Sequence, residues 1–178
     1  MIDCARSSRK RSLCCVHVNP DMPLPISVRA LGSGDAPLMR SLLSTFGEAF
    51  RDLDTYTAAQ PGTEYLERLL GGDTFIAIAA VEEDRVVGGV AAYVLPKFEQ
   101  ERSEISIYDL AVAETHRKQG VATAMIRELQ RIGRLRGAYV IFVQADHGDE
   151  PAIALYTKLG AREDVMHFDI AVATSTQP

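Results

Sequence analysis

A length of 178 residues suits one domain, and apolar residues make up 47% of the chain, which is enough for a full hydrophobic core. The composition excludes a membrane span, because no run reaches the ~18 apolar residues that a membrane helix requires, and we expect a cytoplasmic protein. The formal net charge is −5, and the four basic and two acidic residues among the first 26 make the remainder more acidic still. Such a charge disfavours nucleic acid and favours a cationic small molecule as partner, although it also serves solubility alone.

Residues 1–25 differ in composition from the rest. They hold all three cysteines of the chain: Cys4, Cys14 and Cys15. The remaining chain therefore has no disulfide framework, and His17 alone beside the cysteines does not make a zinc site. The segment also lacks the apolar stretch of a signal peptide. We expect a disordered leader or an artificial extension here, followed by one domain over residues 26–173.

The first half of that domain predicts a strand and two helices. Residues 26–31 form a short strand, and the turn after it begins a helix whose apolar face includes Leu42 and Phe46. We expect residues 47–60 to be irregular, since most of them are polar. Pro61 then begins a second helix, which a pair of glycines ends.

Strands and one long helix follow. We predict a hairpin over residues 74–81 and 86–95, a strand over 104–113, an amphipathic helix of about four turns from Val121, a strand over 138–143, a short helix over 151–159, and a last hairpin or strand pair over 162–172. The apolar run at 138–143 is typical of a strand buried on both faces. The order of elements indicates a single α/β domain with a mixed sheet.

The stretch YDLAVAETHRKQGVATAMI, residues 108–126, is the most informative. A strand ends at Ala113, a short basic turn follows, and Gly120 precedes a helix. Backbone N–H groups at a helix start carry the positive end of the helix dipole, so a pyrophosphate can bind there. Arg117 and Lys118 add positive charge. The turn lacks the Lys-Ser/Thr ending of a nucleotide P-loop.

The hexapeptide RKQGVA, residues 117–122, resembles the R-x-x-G-x-A signature of the GNAT superfamily of N-acetyltransferases. The resemblance implies an α/β GNAT fold, with a mixed sheet of six to seven strands flanked by about four helices. It implies acetyl-CoA as cofactor and CoA as product. The segment DLAV resembles the bulged fourth strand of that family, in which the N–H of Leu110 would face the thioester carbonyl and that of Val112 the pantetheine arm. The expected cofactor-binding residues are Leu110, Ala111, Val112, Arg117, Lys118, Gln119, Gly120, Val121, Ala122 and Thr123.

Longer segments resemble one branch of that superfamily, the type I aminoglycoside 3-N-acetyltransferases, also called gentamicin acetyltransferases. The resemblance covers about residues 27–170, and segments such as AAYVLPKFEQ and QADHGDEPA are not general GNAT patterns. It implies acetylation of the 3-amino group of the deoxystreptamine ring, in antibiotics such as gentamicin and sisomicin, and hence antibiotic resistance. It also implies a homodimer.

Asp109 and Tyr156 are the candidate catalytic residues. In plain alternation Asp109 shares a strand face with Ile105 and Ile107, where a carboxylate is costly unless it has a partner or a task. It could accept the proton that an ammonium substrate must lose, or anchor the amine, or be a structural aspartate near the bulge. The segment AIALYTKLGA, residues 152–161, resembles a GNAT motif whose tyrosine lies beside the CoA sulfur. The resemblance implies that Tyr156 protonates the departing thiolate, and a packed core tyrosine is the alternative.

Five carboxylates in loops or near element ends are candidates for the acceptor pocket: Asp54, Asp146, Asp149, Glu150 and Asp169. An aminoglycoside carries several ammonium groups, which carboxylates bind through charge-assisted hydrogen bonds. An exposed charge or a helix cap is the alternative for each, above all for Asp149 and Glu150 before Pro151. Three histidines, His116, His147 and His167, have no ligand spacing, so we predict no metal site.

Direct acetyl transfer in a ternary complex is the expected reaction. No Ser-His-Asp pattern occurs, and the cysteines all lie in the leader, so a covalent acyl-enzyme is not indicated. A polyamine or protein-amine acetyltransferase is one alternative, because it would use the same CoA site and also accept an acidic pocket. A non-catalytic acyl-CoA-binding module is another, against which the presence of both Asp109 and Tyr156 argues.

Overall fold

The computed structural model describes residues 26–172, so the predicted leader and its three cysteines lie outside the described residues. Within this range one five-stranded sheet forms the centre of the domain. Its strands follow one another across the sheet in chain order: β1 (Ser27–Ala30), β2 (Phe75–Glu82), β3 (Arg85–Pro96), β4 (Ser103–Val112) and β5 (Ala138–Val143). Neighbours from β1 to β4 are antiparallel, whereas β5 lies parallel to β4. The expected mixed sheet is confirmed, and the expected number of six to seven strands is wrong.

Helices cover both faces of the sheet. They are α1 (Ala36–Phe50), α2 (Leu53–Thr57), α3 (Thr63–Leu70), α4 (Val121–Leu135) and α5 (Glu150–Thr157), with single 3₁₀ turns at Ser33–Asp35 and Glu114–His116. α1 and α3 pack on one face and α4 on the other. None of the helices in the described range has the length and apolar character needed to span a bilayer.

The α1–α2 corner occupies the segment that we expected to be irregular. Arg51 takes left-handed backbone angles (φ 58°), which ends α1, and the Asp52 side chain accepts a hydrogen bond from the Thr55 N–H (3.2 Å), which caps α2. Gly47 allows close packing, since a Cβ there would lie 3.3 Å from the Cβ of Tyr56. The corner therefore folds α2 back against α1, and it accounts for a fifth α-helix where about four were expected.

Two hydrophobic cores lie on the two faces of the sheet. Ile76 and Ile78 of β2 belong to the core on the α4 side, whereas Ala77 of the same strand belongs to the core on the α1 side. This follows from the alternation of side chains along a strand. β3 carries Gly89 where α1 approaches the sheet, since a Cβ at that position would overlap the side chain of Leu42.

A β-bulge interrupts β4 at Tyr108. Ala92 of β3 lies opposite Ile107 and Ala91 lies opposite Asp109, so Tyr108 is one extra residue in β4. An extra residue transfers the following side chain to the other face of the sheet. The prediction that Asp109 shares a face with the isoleucines of β4 is therefore wrong, and Asp109 faces α2 instead.

The two parallel strands diverge where the bulge occurs. β5 pairs with β4 only as far as Ile107, whereas β3 continues along β4 to Val112. Residues 108–112 of β4 thus have no strand partner on the β5 side in the described part of the chain, and we call this stretch the open edge.

Backbone donors line the open edge. The Ala113 N–H donates to the Val87 carbonyl of β3 (2.8 Å). Successive residues of a strand direct their N–H groups to opposite sides, so Val112 and Leu110 direct theirs away from β3 and into the opening. The opening therefore offers two N–H groups to a ligand that is inserted between β4 and β5.

The C-terminal segment differs from its prediction. Residues 162–172 form no helix or strand, so the expected last hairpin or strand pair is wrong, and apolar side chains such as Phe168 (73% exposed) and Ile170 (89% exposed) are in solvent. An alternating pattern sets which face a strand would bury, but it does not supply a partner strand. β5 is consequently an edge strand with Tyr139 and Phe142 exposed, against the expectation of burial on both faces.

Candidate active site

Asp109 lies half-buried on β4, directly after the bulge and within the open edge. Its Oδ1 accepts a hydrogen bond from the Tyr56 hydroxyl on α2 (3.1 Å). Burial raises the pKa of the Asp109 carboxyl, and the hydrogen bond from Tyr56 opposes that rise. A carboxyl with a raised pKa is better suited to exchanging a proton near neutral pH than an ordinary surface aspartate is.

Tyr56 is a partner of Asp109 that the sequence did not reveal. The two residues are 53 positions apart, and no short motif joins them. Burial, and then the negative charge of Asp109, raise the pKa of the Tyr56 hydroxyl well above its usual range, so it remains a hydrogen-bond donor. Its ring packs against Phe46 and Phe50, with centroid distances of 5.9 and 5.8 Å. The aromatic residues of FGEAFRDLDTY could have indicated a cluster, but not its partner on β4.

Two further tyrosines lie close to Asp109. The rings of Tyr93 on β3 and Tyr108 in the bulge meet edge to face at 5.8 Å, and Tyr108 is 74% exposed. Burial raises the pKa of Tyr93, and the neighbouring Tyr108 and Asp109 add to this effect. Aromatic faces beside a carboxylate favour a cationic ligand, because the ring face carries partial negative charge.

The start of α4 has the geometry of an anion site. Gly120 caps the helix with left-handed backbone angles (φ 85°), and a Cβ there would meet nothing within 4 Å. The glycine is therefore required by backbone conformation and not by crowding within the chain. The first intrahelical bond runs from the Ala124 N–H to the Gly120 carbonyl (2.9 Å), so the N–H groups of residues 121–123 have no acceptor within the helix.

Arg117 joins this turn to the open edge. Its Nε donates to the Val112 carbonyl (3.0 Å), which places the guanidinium beside the opening. Lys118, with φ 61°, and Gln119, whose side-chain amide donates to the Thr115 carbonyl (2.9 Å), complete the turn. All ten residues expected to bind the cofactor therefore lie along one continuous stretch of backbone, from the open edge through the turn to the first residues of α4.

Tyr156 lies half-buried on α5 and packs with Leu155 against the core on the α4 side. Burial raises the pKa of its hydroxyl, and the negative charge of Asp149 adds to this effect. The hydroxyl is therefore protonated at neutral pH, as a proton donor must be. The packing agrees equally with the alternative of a core tyrosine.

The sequence from residue 38 to residue 161 matches the Acetyltransferase (GNAT) family. The match spans the α1–α2 corner, the open edge, the turn before α4 and the whole of α5. The chain belongs to the GNAT family of acetyltransferases.

Solved structures of aminoglycoside acetyltransferases resemble this acetyltransferase. HMB0005, from an uncultured soil metagenomic sample, is 58% identical over 84% of this chain and 100% of its own, with a TM-score of 0.82. The enzyme meta-AAC0020, also from an uncultured soil sample and solved in complex with sisomicin, is 29% identical over 83% of this chain and 97% of its own, with a TM-score of 0.76.

A more distant relative is N-acetyltransferase 8B of Rattus norvegicus, which is 25% identical over 125 residues. That alignment covers 64% of this chain and 56% of the rat protein, so the acetyltransferase spans little more than half the length of this relative.

GNAT acetyltransferases use acetyl-CoA, and two features of this one fit that molecule. The exposed start of α4 offers backbone N–H groups and the charges of Arg117 and Lys118 to a pyrophosphate. Within the described residues, the open edge has two free backbone N–H groups, of Leu110 and Val112, which suit the carbonyl oxygens of the thioester and of the amide-bearing arm.

The candidate acceptor carboxylates of this acetyltransferase lie in three places. Asp54 lies on α2 beside a cavity of about 470 Å³ that is lined by Gly47, Glu48, Arg51, Asp52, Leu53 and Asp54. Asp146, Asp149 and Glu150 lie together at the start of α5, where Asp149 also caps the helix by accepting from the Ala152 N–H (3.2 Å). The expected capping role of Asp149 is thereby confirmed.

Asp169 lies in the C-terminal segment and reaches the loop after β5 through a histidine. Its Oδ1 is 3.0 Å from His167 Nε2, and His167 Nδ1 is 3.2 Å from the Gln144 side chain. A second histidine in the described range, His116, bonds Glu82 of β2 (3.0 Å). Among the described residues, no group of three or more potential ligands is arranged for a metal ion.

Proposed function

We propose that this chain is an aminoglycoside 3-N-acetyltransferase, which transfers the acetyl group of acetyl-CoA directly to the 3-amino group of a deoxystreptamine ring and so confers resistance to gentamicin-type antibiotics. The observation that carries the proposal is the 58% identity over 84% of the chain with the aminoglycoside acetyltransferase HMB0005. The complex of meta-AAC0020 with sisomicin supports an acceptor of this class. The position of the acetylated amine rests on the sequence resemblance to the 3-N enzymes.

Acetyl-CoA supplies an activated acetyl group as a thioester. The turn before α4 holds the pyrophosphate end, through residues 121–123 and the side chains of Arg117 and Lys118. The open edge holds the reactive end. The N–H of Leu110 points into the opening and stabilises the negative charge that develops on the carbonyl oxygen, and the N–H of Val112 holds the pantetheine arm.

Asp109 prepares the amine. An aminoglycoside amine arrives as an ammonium ion, which has no lone pair for attack, so a base must first take its proton. Asp109 is half-buried and has one oxygen bonded to Tyr56, so its other oxygen can anchor and deprotonate the ammonium. Burial raises the pKa of Asp109, which strengthens it as a base.

Tyr156 completes the transfer. When the bond between the acetyl group and sulfur breaks, the Tyr156 hydroxyl donates a proton to the thiolate, since burial keeps this phenol protonated. The nitrogen loses its second proton as the amide forms, and that proton restores the phenol, while the proton held by Asp109 leaves to solvent. The whole transfer takes place in one ternary complex of the enzyme, acetyl-CoA and the aminoglycoside. No acyl-enzyme is needed, because the deprotonated amine attacks the thioester carbonyl directly.

The carboxylates at α2, at the start of α5 and in the C-terminal segment bind the remaining ammonium groups of the antibiotic. Asp146, Asp149 and Glu150 at the start of α5 form one group, with Asp169 reaching the same loop through His167, and Asp54 on α2 forms the other. Each exposed charge pair contributes only a few tenths of a kcal/mol to about 1 kcal/mol, so affinity must come from several together. A homodimer and a cytoplasmic location, which the sequence leads us to expect, remain predictions.

One assay tests the proposal against its rivals. CoA release from acetyl-CoA is measured with gentamicin, with spermidine, and with neither, and the gentamicin product is assigned by NMR. We expect release only with gentamicin, and an acetyl group on the 3-amino nitrogen. Release with spermidine alone would instead make the chain a polyamine acetyltransferase. Binding of acetyl-CoA without release in any arm would make it a non-catalytic module.

A further inference from the structure

The position of Tyr56 is fixed by packing and by a hydrogen bond. Its ring packs against Phe46 and Phe50 of α1, and its backbone carbonyl accepts a hydrogen bond from the Gln60 side chain (3.3 Å). Gly47 lets α2 approach α1 so closely that a Cβ there would crowd both Leu53 and Tyr56. The α1–α2 corner therefore fixes the phenol before any substrate binds.

The fixed phenol has one polar contact outside its own helix pair, the 3.1 Å hydrogen bond to Oδ1 of Asp109. Within residues 26–172, it is the one hydrogen-bond donor to that carboxyl. A hydroxyl that donates to a carboxylate stabilises the ionised form and restricts its rotation. It also occupies Oδ1, so that Oδ2 is the oxygen left for another partner.

We propose that Tyr56 is a positioning residue, which holds Asp109 ionised and turns its Oδ2 toward the incoming amine. This inference rests on the proposed role of Asp109 as the base. It also gives the α1–α2 corner a role in the reaction: the cap at Asp52 and the left-handed residue Arg51, which shape the corner, set the position of the phenol that bonds Asp109.

The pH dependence of the reaction distinguishes positioning from packing. In Tyr56→Phe the ring and its contacts remain, and only the hydrogen bond to Asp109 is lost. The carboxylate loses a stabilising partner, so the pKa of Asp109 rises further and the acid limb of the kcat/KM profile moves to higher pH. We expect kcat at pH 7 to fall roughly 3- to 10-fold, as the loss of one hydrogen bond of ordinary strength implies, with the KM for acetyl-CoA unchanged.

Other titratable groups near the Tyr56–Asp109 contact do not obscure this test. They are Asp52 at the start of α2, Tyr93 on β3 and Tyr108 in the bulge, and each is present in both the wild type and Tyr56→Phe. The substrate amine also titrates, but identically for both proteins. The difference between the two profiles therefore belongs to the Tyr56–Asp109 contact.

Tyr65→Phe on α3 is the matched control. It also removes a phenol hydroxyl, from an exposed tyrosine that makes no hydrogen bond to Asp109. We expect its acid limb to coincide with that of the wild type. As a second measurement, the Asp109 carboxyl is titrated directly by carbon-detected NMR in the wild type and in Tyr56→Phe.

The outcomes separate cleanly. An acid limb and an NMR midpoint that both move to higher pH only in Tyr56→Phe support the proposal. An unmoved acid limb, with or without a lower kcat, overturns it and leaves Tyr56 a packing residue. If the wild type acetylates no aminoglycoside, the proposed function fails, but the NMR titration still decides: an Asp109 midpoint that is equal in both proteins overturns the contact's role as well.

Discussion

The carboxyl of Asp109 is subject to two opposing influences, and its usefulness depends on their balance. Burial favours the neutral acid, while the hydrogen bond from Tyr56 favours the ion. The net effect is a raised pKa, so the fraction of ionised Asp109 falls as the pH is lowered through that raised value. Activity that requires the carboxylate must fall with it, at a higher pH than for a surface aspartate.

Asp109→Asn tests the base directly. We expect kcat with gentamicin to fall about 100-fold at pH 7, the low end of the range for general acid–base catalysis. The defect should shrink as the pH rises, because more of the amine is then neutral and needs no base. The measurement is kcat against pH for the variant and the wild type. A constant ratio of the two across the pH range would show that Asp109 anchors or packs without taking a proton.

Tyr156→Phe should behave differently at high pH. The change deletes one hydroxyl and keeps the ring against the core, so the fold and both substrate affinities should survive. Because a thiolate is a fair leaving group without help, we expect a 10- to 100-fold lower kcat. Raising the pH supplies no proton, so no rescue should occur. Wild-type turnover in this variant would mean that water protonates the thiolate and that Tyr156 is only a core residue.

Among the elements, α4 shows how a backbone conformation can create the proposed binding site for the pyrophosphate. Its cap, Gly120, takes a φ of 85°, and no side chain in the described part of the chain occupies the space where a Cβ would lie. A side chain there would therefore harm binding in two ways, through the left-handed conformation that it resists and through the volume that it takes from the ligand.

Gly120→Val should raise the Kd for acetyl-CoA by roughly 10-fold or more, since a β-branched residue strongly resists positive φ. Gly137→Val is the matched control: it lies past the other end of α4, has φ 69°, and would also place its Cβ in open space. Calorimetry should show weaker CoA binding for the first variant only, while thermal unfolding shows a similar loss of stability for both. Equal CoA affinity in the two variants would contradict the assignment of the turn.

Local sequence patterns predicted most helices and strands, but they did not predict the contacts between residues far apart in the chain. The strand at 138–143 and the start of α4 at Val121 lie where the apolar patterns put them. The sheet face on which Asp109 lies differs from the one that plain alternation predicts, because one bulged residue reverses the alternation. Tyr56 was missed because its partner is 53 residues away, and the last strand was wrong because a pattern cannot create a neighbouring strand.

At the scale of the whole molecule, charge is distributed in a way that suits the two oppositely charged substrates of the proposed reaction. The turn before α4 carries Arg117 and Lys118, while acidic residues lie at α2, at the start of α5 and in the C-terminal segment. A net charge of −5 is therefore compatible with a local positive site. Under the proposed function, an antibiotic with several ammonium groups and a CoA molecule with several phosphates would meet differently charged surroundings.

Combining Asp146→Asn with Asp169→Asn tests the acidic side of this arrangement. Because each exposed charge pair is worth up to about 1 kcal/mol, the double variant should raise the KM for gentamicin roughly 3- to 20-fold, and that for acetyl-CoA little. Salt should weaken gentamicin binding to the wild type, since the Debye length falls from ~10 Å at 0.1 M to ~3 Å at 1 M. The double variant, with two charges fewer, should depend less steeply on salt.

Glu64→Gln on α3, whose side chain is 93% exposed, is the control that removes one acidic charge elsewhere. It should leave both KM values and the salt slope unchanged. If both KM values of the double variant rise equally, or if its salt slope matches that of the wild type, these carboxylates do not bind the antibiotic.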